Sequence, residues 1–235
     1  MAAETEPRQR ATLQLQKTLG HSYADKRLLD QALTHRSAGA RNYERLEFLG
    51  AGLLNFVIGA ALYRALPDAE EGDLSRLRAS LVRESTLAEI ARELQLAEVI
   101  GLGPGELRSG GFRRKSIQAD IVESLIGAAY LDAGFATAEA MVLKLFKARL
   151  ASLPDPKSLK DAKTQLQEIL QGQSRPLPEY DTVRSEGPPH KQVFTVRCRL
   201  SDTEDERLAT GASRRKAEQN AARAVIDALF PKADA

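Results

Sequence analysis

The sequence has no tryptophan, a single cysteine and three histidines, and aromatic residues fill only 5% of its 235 positions. The lone Cys198 excludes an internal disulfide and a cysteine-based zinc site, and it fits a reducing, cytoplasmic setting. Histidines so few and so scattered argue against a histidine-based nucleophilic triad, and His21 and His35 read as packing or capping residues. Scarce aromatics remove the usual stacking platform for single-stranded nucleic acid. The start, MAAETEPRQR, mixes charges of both signs without an apolar region, so no signal peptide is expected. No uninterrupted apolar stretch is long enough for a membrane span, so none is expected either. The net charge of +2 names no partner, and any nucleic-acid contact must come from local basic clusters.

What is present is a globular composition, 43% hydrophobic and 28% charged, in a chain long enough for one large or two ordinary domains. Residues 1–12 read as a polar flexible tail. From 13 to 150 apolar residues recur at spacings of three and four, as in LLDQAL, LSRLRASLV and LAEIARELQL, which predicts an all-α domain. The glycine-rich run GLGPGELRSGGFRRKS (101–116) is superficially like a dinucleotide-binding loop, but no βαβ unit surrounds it. It reads as a mobile connection, and no nucleotide cofactor is expected. ASLPDPKS marks a linker over 151–159. Residues 160–230 then predict a small α+β domain of order α-β-β-β-α, followed by a tail at 231–235. Its middle strand QVFTVRCRL alternates, with Phe194, Val196, Cys198 and Leu200 on one side and Thr195, Arg197 and Arg199 on the other. On its last helix Ala217, Ala221, Ala224, Val225, Ala228 and Leu229 form the inner stripe.

Two apolar helices of the first domain carry acids. In ERLEFLGAGLLNFVIGAALY, Glu44 and Glu47 share a face that continues to Ala51, amid Leu46, Phe48, Leu49, Leu53 and Leu54. In SIQADIVESLIGAAYLDAG, Ser116 is a candidate N-cap and Asp120 and Glu123 repeat the spacing. Such helices are expected to be buried on most sides, and an unpartnered buried carboxylate costs several kcal/mol. A divalent cation resolves the cost. An all-oxygen donor set suits Mg²⁺, with Mn²⁺ as a substitute. The alternative is that each pair is merely a solvated helix face.

The last helix opens GASRRKAEQ, with Ser213 as candidate N-cap and Arg214, Arg215 and Lys216 in its first turn. Cations at this end oppose the helix dipole, which suggests that an anion such as phosphate belongs there; a solvated basic cluster is the other reading.

Taken together, these residues resemble the bacterial ribonuclease III family. NYERLEFLGAGLLNFVIGAALY is similar to that family's signature helix, whose usual form reads NERLEFLGDS. KSIQADIVESLIGAAYLDAG resembles its second acidic motif, and LTHRSA and EEGDLSRLRASLVRESTLAEIA its neighbouring segments. KTQLQEILQ, GPPHKQVFTV and GASRRKAEQNAA resemble its double-stranded-RNA-binding domain. The likeness runs from about residue 13 to 229. It implies a homodimeric endonuclease that hydrolyses duplex RNA, including ribosomal and messenger precursors, leaving 5′-phosphate and 3′-hydroxyl ends with short 3′ overhangs. By matched position, Glu47, Asp120 and Glu123 would be the metal-binding catalytic carboxylates, with Glu44 and Glu71 auxiliary acids near the site and the subunit interface. Phe48 and Leu49 would fall in that symmetric interface rather than in the core. Thr164, Gln167 and Gln171 would contact one minor groove and His190 the next, while Arg214, Arg215 and Lys216 grip phosphates across the intervening major groove.

One position departs. Where the family carries an aspartate ligand, this chain has Ala51, and Gly52 replaces a small hydroxyl residue. Alanine coordinates nothing, so cleavage is expected to be impaired while folding and RNA binding survive. Three readings fit: an active-site substitution in an otherwise normal enzyme, a natural pseudoenzyme that binds double-stranded RNA without cutting it, or a site that still works with water in place of the lost ligand.

Overall fold

The computed structural model describes residues 2–230, apart from the side chains of residues 2–6, 157, 158 and 189; the sequence's expected tail at 231–235 lies outside them. The chain divides between Leu159 and Lys160 into two compact units.

The first unit is helical: α1 (Ala2–Leu19), α2 (Lys26–Ala32), α3 (Glu44–Ala65), α4 (Glu71–Val82), α5 (Glu84–Glu93), α6 (Pro104–Arg108) and α7 (Lys115–Ala151). Its centre is the pairing of α3 with α7, around which Leu54, Ile58, Leu62, Leu77, Ile121, Leu125 and Phe146 are fully buried. Two glycines set how closely these helices approach. A Cβ on Gly50 would stand 1.8 Å from the carbonyl oxygen of Glu123, and one on Gly127 would stand 2.2 Å from that of Leu46. Backbone therefore lies directly on backbone at the crossing, a contact that any larger residue prevents.

Several expectations need correction. Residues 2–12 are not a loose tail but the first turns of α1, tied down by Arg8, whose Nη2 donates to the carbonyl of Val99 at 3.0 Å. Ser116 is not the cap of α7, because the helix begins one residue earlier with Arg114 in the cap position. That helix also runs past Gly134, where a positive φ of 81° breaks it before it resumes to Ala151. The 101–116 run is folded rather than a bare connection: the backbone N–H of Gly103 donates to Ser37 Oγ at 2.9 Å, and Arg114 pairs with Glu106 at 2.9 Å. Finally, α3 and α7 are long and apolar enough by composition to cross a membrane, contrary to the absence expected from the sequence. Here they form the centre of the helical core, with acids on both.

Nor is α3 buried on most sides. Phe48, Phe56 and Tyr63 are 84%, 63% and 73% exposed, so a row of large apolar residues stands largely uncovered among the described residues, with Phe56 in an edge contact with Phe135.

The second unit is α8 (Ala162–Gly172), β1 (Glu179–Glu186), β2 (Val193–Arg199), β3 (Glu206–Gly211) and α9 (Arg214–Leu229), with the antiparallel sheet in the order β1-β2-β3. Val196, Cys198 and Leu200 are buried against the helices and Phe194 is partly so, as alternation predicts. The buried stripe of α9 differs slightly from the expected one: Ala222 and Ile226 join Ala217, Ala221 and Val225, while Ala228 is exposed.

The glycine crossing gives a sharp test. Gly50→Ala should destabilise the protein by about 3 kcal/mol or more through overpacking. Gly52, two residues on, has nothing within 4 Å of its would-be Cβ. Gly52→Ala should therefore be neutral or stabilise by up to about 1 kcal/mol. Urea unfolding of the two variants decides it, and equal effects would refute the crossing.

Candidate functional site

Glu47 lies one turn into α3 and Asp120 and Glu123 lie in the second and third turns of α7. The Gly50–Gly127 contact brings these stretches together. One carboxylate oxygen from each acid lies within 4.8 Å of the others. Among the described residues none of the three forms an ion pair, and each is partly buried. Burial is the main cause that raises all three acids above their ordinary pKa. Asp120 and Glu44 add to the effect at Glu47, and Glu47 and Asp120 push Glu123 up to about 7. At Asp120 a hydrogen bond from the Tyr43 hydroxyl, 2.9 Å from Oδ2, works in the opposite direction. A cleft of about 480 Å³ beside these acids is lined by Glu47 and Asp120 and by Arg36, Glu44, Glu106, Arg114 and Ser116. Three clustered carboxylates, all oxygen donors, could hold a hard divalent cation.

Glu44 is exposed at the rim, with Arg36 Nη1 3.4 Å from its Oε1. Glu71 is not part of the cluster. It stands at the start of α4, lining a hollow with Asn55, Phe56 and Tyr63 of α3, and accepts a 2.7 Å hydrogen bond from Ser75. Ala51 follows the crossing glycine in an unbroken helix, its carbonyl accepting from Asn55 Nδ2 at 2.9 Å. His35 is buried and bonded to Ser37 and lines the cleft beside Asp120, whereas His21 pairs with Asp132 at 2.8 Å.

In the second unit Ser213 caps α9 by accepting from the backbone N–H of Lys216 at 3.2 Å, as its position predicts. Arg215 and Lys216 are exposed in the first turn, whereas Arg214 leans on Glu218 at 3.1 Å. Gln167 and Gln171 are exposed on α8, and Thr164 bonds to the cap residue Asp161. His190 is exposed in the turn between β1 and β2, next to Gly187, whose φ of +89° suits only glycine. Sequence reading missed the network joining these elements. Lys163 Nζ reaches Glu218 at 2.6 Å, and Gln219 accepts from the N–H of Lys163 and donates to Asp161 at 2.9 Å. The start of α8 is thereby locked to the first turns of α9.

The order of parts matches known proteins. A Ribonuclease-III-like family model covers residues 25–150, and a double-stranded RNA binding motif covers 162–229. Ribonuclease 3 of Shewanella amazonensis is 54% identical over 213 residues, 91% of this chain and 94% of its own. The chain belongs to the ribonuclease III family. Two solved structures of the ribonuclease III nuclease domain from Campylobacter jejuni are similar to this chain. One is 40% identical, with a TM-score of 0.57 over 60% of this chain and 97% of that one. The other, described for structural flexibility in the region involved in dimer formation, is 41% identical, with a TM-score of 0.58 over 59% and 98%. This ribonuclease III chain is thus a helical nuclease domain followed by a double-stranded-RNA-binding domain, as the sequence predicts.

The raised pKa of Glu123 makes stability depend on pH when no metal is bound. A carboxyl pKa moved from 4.5 to about 7 on folding favours the folded state at low pH. That contribution is complete below 4.5 and is lost as pH rises through about 7. In EDTA the protein should weaken between pH 5 and 8, and Glu123→Gln should flatten that fall by about 2 kcal/mol. Denaturant midpoints at the two pH values measure it, and a parallel fall in parent and variant would contradict the clustered-acid geometry.

Proposed function

We propose that this chain is a Mg²⁺-dependent, homodimeric endoribonuclease for double-stranded RNA whose cleavage is impaired by Ala51. The observation that carries the reading is the three-acid cluster at the α3–α7 crossing, in a chain that also holds a double-stranded RNA binding motif. Glu47, Asp120 and Glu123 would hold the metal, which supplies an activated water and charge neutralisation at the scissile phosphate. These residues fit the group: every donor is a carboxylate oxygen, and among the described residues none of the three acids is in an ion pair. Glu44, at the rim of the cleft, adds negative charge beside Glu47. A fourth carboxylate at position 51 would continue their face, and the methyl group there removes a ligand without breaking the helix. The intact state of the other acids favours a substituted enzyme over a long-decayed pseudoenzyme.

The uncovered row of Phe48, Phe56 and Tyr63 would be the isologous contact between two copies, with Glu71 beside it. A dimer also fits the Campylobacter jejuni nuclease domain, which is described as having a region involved in dimer formation. In the second unit Thr164, Gln167 and Gln171 would sit in one minor groove of the duplex and His190 in the next. Arg214, Arg215 and Lys216 would meet phosphates between them, where the amino end of α9 adds its own N–H groups. Products would carry 5′-phosphate and 3′-hydroxyl ends.

A long RNA duplex incubated with Mg²⁺ and either the chain or its Ala51→Asp form tests the assignment. Both should bind equally, and the Asp form should cut faster by about 10²-fold or more. Equal cutting would show that position 51 is not a needed ligand; cutting by neither form would put the non-cleaving RNA-binding protein first. The basic turn has its own signature. Replacing Arg215 and Lys216 by alanine together should weaken binding to every duplex and lower the log–log salt slope by about 2. Fluorescence anisotropy across a salt series measures it, and an unchanged slope would remove these residues from the phosphate contact.

A further inference from the structure

Tyr43 touches both helices that build the acid cluster. It occupies the cap position of α3, and its carbonyl accepts the backbone N–H of Glu47 at 2.9 Å. Its hydroxyl crosses to α7 and donates to Asp120 Oδ2 at 2.9 Å. One residue thus fixes the backbone of one acid and the side chain of another. Tyr43 is itself held on several sides. It is only 3% exposed, its N–H donates to the carbonyl of Thr34 at 3.0 Å, and its ring lies 5.6 Å from that of His35. The phenol is therefore set by the protein core before any cation arrives. A carboxylate held at one oxygen by a rigid donor keeps the other for a ligand and cannot swing away from its neighbours.

We infer that Tyr43 is a positioning residue of the metal site, aligning Asp120 toward Glu47 and Glu123 through its hydroxyl. This rests on the metal-site reading above. Outer hydrogen-bond partners of metal ligands commonly change affinity by about 10- to 100-fold when removed. Tyr43→Phe deletes the one hydroxyl and keeps the buried ring.

The test is calorimetric titration of the full chain with Mn²⁺, without RNA. The parent should bind, and Tyr43→Phe should bind about 10- to 100-fold more weakly while its metal-free thermal unfolding stays close to the parent's. In an Asp120→Asn background the same change should produce no further loss, which a general packing defect would not reproduce. In the parent chain labelled at tyrosine Cζ, Mg²⁺ should shift one of the five tyrosine signals with the affinity that calorimetry gives for Mg²⁺. That measurement stands even should the Phe form not fold. A parent that binds Mn²⁺ while Tyr43→Phe binds it equally well overturns this inference and leaves the metal site intact, as does a Mg²⁺ titration in which no tyrosine signal moves. A parent that takes up neither cation overturns the metal site and the inference together.

Discussion

Everything in the nuclease unit depends on how closely α3 can approach α7. Helices packed through ordinary side chains keep their axes about 8–10 Å apart. Gly50 and Gly127 remove the intervening side chains, and the two backbones meet, each glycine facing a carbonyl of the other helix. Glu47 lies three residues before one glycine and Glu123 four before the other, so the same contact that closes the core gathers the acids. Glycine in a helix interior costs about 1 kcal/mol relative to alanine. Here it is the condition for the site, and substitution would disturb folding and carboxylate geometry together.

The acids oppose this packing. Three carboxylates whose oxygens lie within 4.8 Å, partly buried and without an ion pair among the described residues, repel one another and lose hydration. The strain is visible in Glu123, pushed up to about 7. The fold tolerates it because Leu54, Ile58, Ile121 and Leu125 supply apolar burial around the crossing. Alanine at position 51 adds no further charge to this cluster and gives α3 a good helix former.

Periodicity made the helical unit legible, and alternation in QVFTVRCRL made the sheet legible, because both patterns follow directly from which side of an element is buried. That acids in these two helices share a site was legible as chemistry, since acids in oily helices need a reason, whereas the choice of Glu47 with Asp120 and Glu123 came from the family resemblance. The device that joins them was not. Gly50 and Gly127 look like two small residues among many until the helices are placed against each other, although a glycine inside a strongly apolar helix hints at a close approach. Tyr43 was missed for the same reason: its partner Asp120 is 77 positions away. The row of Phe48, Phe56 and Tyr63 shows a different limit. Composition reads large apolar residues as core; the family resemblance set Phe48 apart from it, and the three-dimensional arrangement adds Phe56 and Tyr63 to the outward stripe. At the amino end, charge density suggested a tail, but the Arg8 to Val99 hydrogen bond is a tertiary contact that local composition does not encode.

The two units have separate cores, one around α3 and α7 and the other around β2 and α9. The geometry of the RNA-binding unit is therefore set internally. There Glu218 receives both Lys163 and Arg214, and Gln219 spans to Asp161. The arrangement fixes the spacing between the exposed glutamines of α8 and the basic turn of α9. It also engages Arg214 with a carboxylate while leaving Arg215 and Lys216 in solvent. Phosphate contact at Arg214 would then compete with Glu218, whereas at the other two it would displace only water and ions. Within a turn of three consecutive cations, the greater share of counterion release should thus fall to the last two.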